Sequence, residues 1–403
     1  MKTKISWVAS GLILIPIALA GCGGANGITP TPPPVQTLTF IAGATLLSGG
    51  THPEGVVIAD FNGDGKLDIA VSNLDTNTVA VFLNSGTGTF GSAIVNTVQI
   101  PNGLGPLAVG DFNEDGIPDL VVATISGPQA NIVLLGNGDG TFRQQAPIPN
   151  SFGFFHAMVV DLDGDGHKDL VLAGNGNISV SMGRGNGTFV DTIALPSGSF
   201  PGTYLGIAVA DFNGDGKLDI AAADRGSSFP PSPAGTLVFY AGKGDGTFQN
   251  PASVPLPPSL PSSLASGDFN NDGKQDLLIG FPNEAHLGFG NGDGTFQLSL
   301  QSLTFVYSAS LFSLDSAVAV QSADLNGDGK VDAITADSNL GILQIALNGS
   351  LGKTPPSEGI FSFALSPGLA EIAVGDLNGD GILDVVVTNF KTSEITVILS
   401  KKQ

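Results

Sequence analysis

The chain is expected to be all-β, a closed or linear array of seven repeated four-stranded units, on three observations. One phrase, Asp-x-Asn/Asp-x-Asp-Gly-x-x-Asp, occurs seven times between Asp60 and Asp384, at intervals of 50 to 57 residues. A fixed period of that length marks a solenoid or a propeller, in which each unit hides its apolar face only against its neighbours. Short apolar runs of strand length stand before and after the phrase, and glycine-rich turns come after them.

Within a unit the elements come in a constant order. A run of small and β-branched residues precedes the phrase, as at Val56 to Ala59, Leu107 to Gly110, Ile207 to Ala210 and Ile372 to Gly375. A second run succeeds it, as at Ile69 to Val71, Leu120 to Ala123 and Val385 to Thr388. The third run includes Val79 to Leu83, Asn131 to Leu135, Ile178 to Met182, Leu237 to Tyr240 and Ile395 to Leu399. After it comes a Gly-Thr-Phe turn, ending at Phe90, Phe142, Phe189, Phe248 and Phe296 in the first five units. Gly and Asn/Asp supply the positive φ of a hairpin, and the Phe is expected to open a fourth strand. Each unit therefore folds as a four-stranded antiparallel sheet.

The phrase itself carries chemistry. Oxygens at positions 1, 3 and 5, a glycine at 6 and an acid at 9 form a tight turn whose ligands converge on one point. A hard divalent cation fits there, and calcium, with six to eight oxygen ligands and tolerant geometry, fits better than magnesium. Position 7 varies among Lys, Ile and His, as expected if only its backbone carbonyl is a ligand. Asx turns alone explain Asn, Asp and Gly in a bend. They do not require acids at 1, 5 and 9 together, which repel unless a cation lies between them. An EF-hand needs Glu at position 12, where this chain has Val71, Val122, Leu172, Ala222, Ile279, Thr335 and Val387.

The phrase DFNGDGKLD followed by GNGDGTF resembles the FG-GAP/VCBS repeat of bacterial surface proteins and of the integrin α-subunit head. The resemblance covers nearly all of the chain after its leader, and it implies a seven-bladed β-propeller with structural calcium, up to seven ions, in the loops. Carried over residue by residue, it assigns Asp60, Asn62, Asp64 and Asp68 as ligands in the first loop. Asp111, Asn113, Asp115 and Asp119 form the second set, and Asp161, Asp163, Asp165 and Asp169 the third. The fourth and fifth are Asp211, Asn213, Asp215, Asp219 and Asp268, Asn270, Asp272, Asp276. The sixth and seventh are Asp324, Asn326, Asp328, Asp332 and Asp376, Asn378, Asp380, Asp384.

Residues 37–403 form the propeller on this reading. The seventh unit stops after its third strand, while Thr37 to Leu47 read as an orphan fourth strand with its own Thr-Phe. Pairing the two closes the ring and removes exposed edges. Antiparallel order puts the calcium loops and the Gly-Thr-Phe turns on one face. The opposite face varies most, at Gly226 to Gly235, Pro255 to Pro261 and Leu298 to Ser316, and variable loops on a rigid scaffold suit binding.

Residues 1–21 read as a secretory leader: a basic start, an apolar core and Leu19-Ala20-Gly21 before Cys22, the only cysteine. Leu-Ala-Gly-Cys resembles the bacterial lipobox, which implies lipidation of Cys22. Residues 22–36 then form a Gly/Pro-rich tether. The reading places the protein in the bacterial cell envelope, across the inner membrane, touching the bilayer through its anchor alone.

Net charge is −21, and 22 aspartates lie in the seven phrases, so the acidity belongs mostly to the loops. Seven divalent ions would bring the balance to about −7. Without a basic patch nucleic acid is excluded as a partner. His52, His156, His167 and His286 lie in no catalytic motif, and acids outside the loops, such as Glu54, Asp75 and Glu371, show no pattern. No Gly-x-Ser-x-Gly elbow or Walker loop occurs, and no catalytic residues are expected. The expectation is a monomeric, non-enzymatic scaffold for an envelope or extracellular protein, with a glycan as the alternative ligand.

Overall fold

A computed structural model describes residues 38–402 apart from 101–102, 125–130, 150, 152, 175, 191, 197–202, 226–234, 257–259, 283, 304–317 and 349–358. The leader, Cys22 and the tether lie outside the described residues, as do most of the fourth-unit insertion and of the long approach to the sixth unit. No helix among the described residues is long and apolar enough to cross a membrane.

Seven four-stranded sheets form the fold, each antiparallel throughout. The first strands are Pro53–Ala59, Leu104–Gly110, Phe154–Val160, Tyr204–Ala210, Ser263–Gly267, Val318–Ala323 and Leu369–Gly375. Each packs against the first strand of the next sheet, and the last packs against Pro53–Ala59. The array is therefore a closed seven-bladed β-propeller, not an open solenoid.

Every second strand begins at the ninth residue of a phrase: Asp68–Asn73, Asp119–Thr124, Asp169–Gly174, Asp219–Asp224, Asp276–Phe281, Asp332–Asp337 and Asp384–Asn389. In six of these seven strands every residue is buried, the exception being Asp224 in the fourth. Near-continuous Val, Ile, Leu and Ala runs result from burial on both faces of the blade. Apolar side chains collect into seven clusters, one at each junction between neighbouring blades. Each blade thus covers its own faces only with the help of two neighbours, as the repeat period implies.

Ring closure uses the expected three-plus-one seam. Leu38–Leu47 pairs antiparallel with Glu394–Lys402 and completes the seventh blade. The register runs from Leu38 opposite Lys402 to Leu47 opposite Glu394, with a bulge between Ala42 and Thr45. Phe40 packs edge-on against Phe361, at 4.7 Å between ring centres, so the N-terminal strand also joins the sixth-to-seventh core.

One expectation holds only in part. Phe142 and Phe296 open fourth strands, Phe142–Pro147 and Phe296–Leu303. Phe90, Phe189 and Phe248 instead make single bridges, to Asn84, Gly183 and Gly242, and regular pairing resumes at Ile94, Ile193 and Ala252. Pro251 lacks the N–H a ladder needs, and Gly91 weakens the strand in the first unit. The chain is anchored by the aromatic ring before it returns to the sheet.

Candidate metal centre

Each phrase forms the connection from first to second strand, and three nested side-chain turns shape it. In the first loop Asp60 Oδ1 accepts the N–H groups of Gly63 and Asp64 at 2.7 and 3.2 Å, and Oδ2 accepts that of Gly65 at 2.8 Å. Asn62 Oδ1 accepts from the Asp64 N–H, and Asp64 Oδ1 from the Lys66 N–H. The seventh loop repeats this pattern at Asp376, Asn378 and Asp380. The sixth residue lies at φ between 81° and 92° in all seven copies. A side chain is strained there, which explains the invariant glycine.

The ninth residue plays a part that sequence reasoning missed. All seven of these aspartates are 0% exposed. One oxygen accepts the N–H of the second phrase residue, and the other accepts an N–H at or near the end of the third strand. For Asp68 the donors are Phe61 at 3.0 Å and Asn84 at 2.8 Å. For Asp119 they are Phe112 at 2.9 Å and Gly136 at 2.8 Å, and for Asp384 Leu377 at 2.8 Å and Ser400 at 2.7 Å. The other four carboxylates are held alike. Burial pushes six of these acids up to about 6 and Asp332 to about 7; the two N–H groups hold them down, and the neighbouring loop acids raise them. In Asp68, Asp119, Asp169 and Asp332 each oxygen keeps acceptor capacity beyond its one N–H.

In the third loop one oxygen each from Asp161, Asp163 and Asp169 falls within 4.8 Å of the others. Hard oxygen donors at that spacing suit calcium or magnesium rather than a soft metal. The other loops carry Asn at the third position, whose amide donates to an acid of its own loop in five of them. Asn113, Asn270 and Asn326 donate to Asp115, Asp272 and Asp328, while Asn213 and Asn378 donate to Asp219 and Asp384. In the first loop Lys66 Nζ lies 3.4 Å from Asp64 Oδ2. Position 4 is glycine except for Glu114 and Asn271, both at φ 60°. Each reaches the next blade: Glu114 pairs with His167 Nδ1, and Asn271 donates to Asn348. The Glu114 hydrogen bond raises the His167 pKa.

The loops are tied to the neighbouring blades as well. The glycine of a Gly-Thr-Phe turn donates its N–H to the carbonyl of the second phrase residue in the preceding blade. Gly140 meets Phe61 at 3.1 Å, Gly187 meets Phe112 at 2.7 Å, Gly294 meets Phe212 at 3.1 Å and Gly88 meets Leu377 at 2.9 Å. Asn348 Nδ2 does the same for Phe269 at 3.0 Å. The rings pair accordingly: Phe61 and Phe142, Phe112 and Phe189, and Phe212 and Phe296 stand edge to face, 5.4 to 5.7 Å apart. Phrase and turn are therefore two halves of one inter-blade joint, and loops and turns share one end of the propeller, as antiparallel order requires.

At the other end no comparable repeat exists among the described residues. His52, at φ 52°, pairs with Asp75. Glu371 stands on the first strand of the seventh blade, where desolvation and then the charge of Glu54 push its carboxyl up to about 8. His156, on the first strand of the third blade, is pushed down to about 4 by desolvation. A hollow among Met158, Ile207, Leu264 and Gln321 measures about 20 Å³. That is room for one water, not for a substrate.

Comparison with known proteins agrees with this geometry. A family model described as an FG-GAP-like repeat matches residues 60–122, 111–171, 161–222, 228–279, 268–335 and 324–387. Integrin alpha-PS5 of Drosophila melanogaster is 30% identical over 156 residues, 32% of this chain and 15% of that protein. Integrin alpha-IIb of Mus musculus is 28% identical over 200 residues, 40% of the chain and 18% of that protein. Cartilage acidic protein 1 of Xenopus tropicalis is 28% identical over 214 residues, 49% of the chain and 32% of that protein. The chain thus spans a third or less of the length of these relatives. Among solved structures, BBS1N in complex with ARL6DN superposes with a TM-score of 0.59 at 14% identity, covering 89% of this chain and 96% of that one. An Agrocybe aegerita lectin that recognises non-reducing terminal N-acetylglucosamine gives 0.52 at 19% identity, covering 88% and 86%. These two likenesses show the fold. With the repeat model spanning well over half of its residues, the chain belongs to the FG-GAP-like repeat family.

Proposed function

We propose that the protein is a calcium-stabilised, lipid-anchored propeller of a bacterial cell envelope that acts as a protein-binding or adhesion scaffold. One observation carries the scaffold reading: the ring is closed, and neighbouring blades are tied together at the face that carries the loops. A rigid platform with variable loops at the opposite end recognises partners by surface. The integrin α relatives point the same way.

A lectin-like or polysaccharide-processing role is the second reading, motivated by the Agrocybe aegerita neighbour. Aromatic platforms would support it, yet Tyr204 and Tyr240 are fully buried, and Phe155 is the single aromatic among the exposed large apolar side chains of the described residues. The balance favours protein as the ligand class.

Calcium would be held by the first, third, fifth and ninth residues of each loop and would neutralise carboxylates that otherwise repel. By mass action each filled site contributes roughly 2.7 kcal/mol when free calcium is a hundredfold above the dissociation constant. Chelation is expected to lower the melting temperature steeply, and Asp64→Ala to lower it less, since six sites remain. A melting curve indifferent to chelator removes the metal from this proposal. Lipidation of Cys22 is tested by labelling with a fatty-acid analogue, which Cys22→Ser abolishes. Partner class is tested by retention of a defined envelope protein against binding on a glycan array. Saturable glycan binding without protein retention reverses the order of the two readings.

A further inference from the structure

Resting on the calcium reading, we infer that the third loop holds its ion more tightly than the other six, with Asp163 as the residue that sets the difference. Six loops already have a nitrogen against their acids. In five it is the amide of the third-position Asn, and in the first loop it is the Lys66 ammonium at 3.4 Å. An entering cation must displace these groups. The third loop has neither. Its third residue is Asp163, its seventh is His167, and the imidazole is drawn aside to Glu114 of the neighbouring blade. Backbone N–H groups alone touch Asp161, Asp163, Asp165 and Asp169 among the described residues.

Charge acts in the same direction. The third loop offers four carboxylates at ligand positions and the others three, and a Lys stands at position 7 in the first, fourth, fifth and sixth loops. Ligand charge and rigidity tune calcium affinity over decades, so one added carboxylate with no competing nitrogen strengthens binding by on the order of tenfold or more. The third-residue turn is shared: Asp163 Oδ1 accepts the Asp165 N–H at 3.1 Å, and Asn62 accepts the same bond at 2.9 Å in the first loop. Asp161 Oδ1, however, is spared the fifth-residue N–H that the first aspartate accepts in the other six loops. Asn at position 163 therefore preserves the bend while removing one charge.

The test is calcium titration of the chelator-stripped, full-length chain in competition with a chelator of known affinity. The wild type is expected to show one tight site above a weaker class. Asp163→Asn should move that site into the weaker class, a loss of about tenfold. Asn378→Asp should create a second tight site, because the seventh loop carries Ile382 rather than a lysine. Uniform affinity in the wild type, or a tight site that survives Asp163→Asn, overturns the assignment. A wild-type chain that takes up no calcium at all overturns the calcium reading itself, before any variant is compared.

Discussion

Replacing Asp68 by Ala separates the two duties of the ninth loop residue. Asp68 is 0% exposed and accepts N–H groups from Phe61 at 3.0 Å and Asn84 at 2.8 Å. Alanine leaves both donors buried without acceptors, and each orphan costs about 1 to 3 kcal/mol, so the backbone duty alone is worth roughly 2 to 6 kcal/mol. The metal duty is silent in chelator. Urea denaturation of wild type and variant, both in excess chelator, therefore reads the backbone contribution by itself. The variant's midpoint should fall by an amount matching several kcal/mol, and calcium should widen the gap further. If the two proteins unfold together in chelator and diverge only in calcium, Asp68 is a metal ligand and nothing more, and the account of the buried ninth aspartates is wrong.

Three further perturbations probe a raised carboxyl, the seam and the turns. Glu371 stands on the first strand of the seventh blade with its carboxyl raised to about 8 by desolvation and by Glu54. Its folded pKa exceeds the unfolded value of 4.5, so the stability it allows is full below pH 4.5 and is lost as pH rises through about 8. Glu371→Gln should flatten the fall in melting temperature between pH 4.5 and about 8, and an unchanged slope would count against it. Deleting residues 1–47 removes the strand that pairs with Glu394–Lys402, leaving a free edge; light scattering should report association, reversed by a peptide of residues 38–47 added in trans. Gly294 and Gly273 share φ values of 80° and 84°, yet a Cβ at 294 would stand 2.5 Å from Phe239 while one at 273 meets open space. Both Ala variants should lose about 1 to 2 kcal/mol to the left-handed backbone, with a further loss at 294 alone, as read from denaturation midpoints.

The seven-unit, four-stranded architecture was legible because period and phrase are local properties. Fifty to fifty-seven residues are enough for one sheet, and a sheet that cannot cover itself must stack. The seam was legible too, since a surplus strand at one end matched a missing strand at the other. The start of the fourth strand was less so: Phe90, Phe189 and Phe248 look like Phe142 and Phe296 in sequence, but the residues just after each Phe decide where the ladder resumes.

Composition and spacing by themselves determined that oxygen-rich bends recur seven times and that strands surround them. Only the tertiary structure decided that the ninth aspartate is buried between two backbone donors, and that four of the phrases lock to the Gly-Thr-Phe turn of the next blade. The reason is physical. Hydrogen bonds within a turn depend on a few adjacent residues, whereas burial and inter-blade bonds depend on which distant segments pack against them, and no single repeat contains that information.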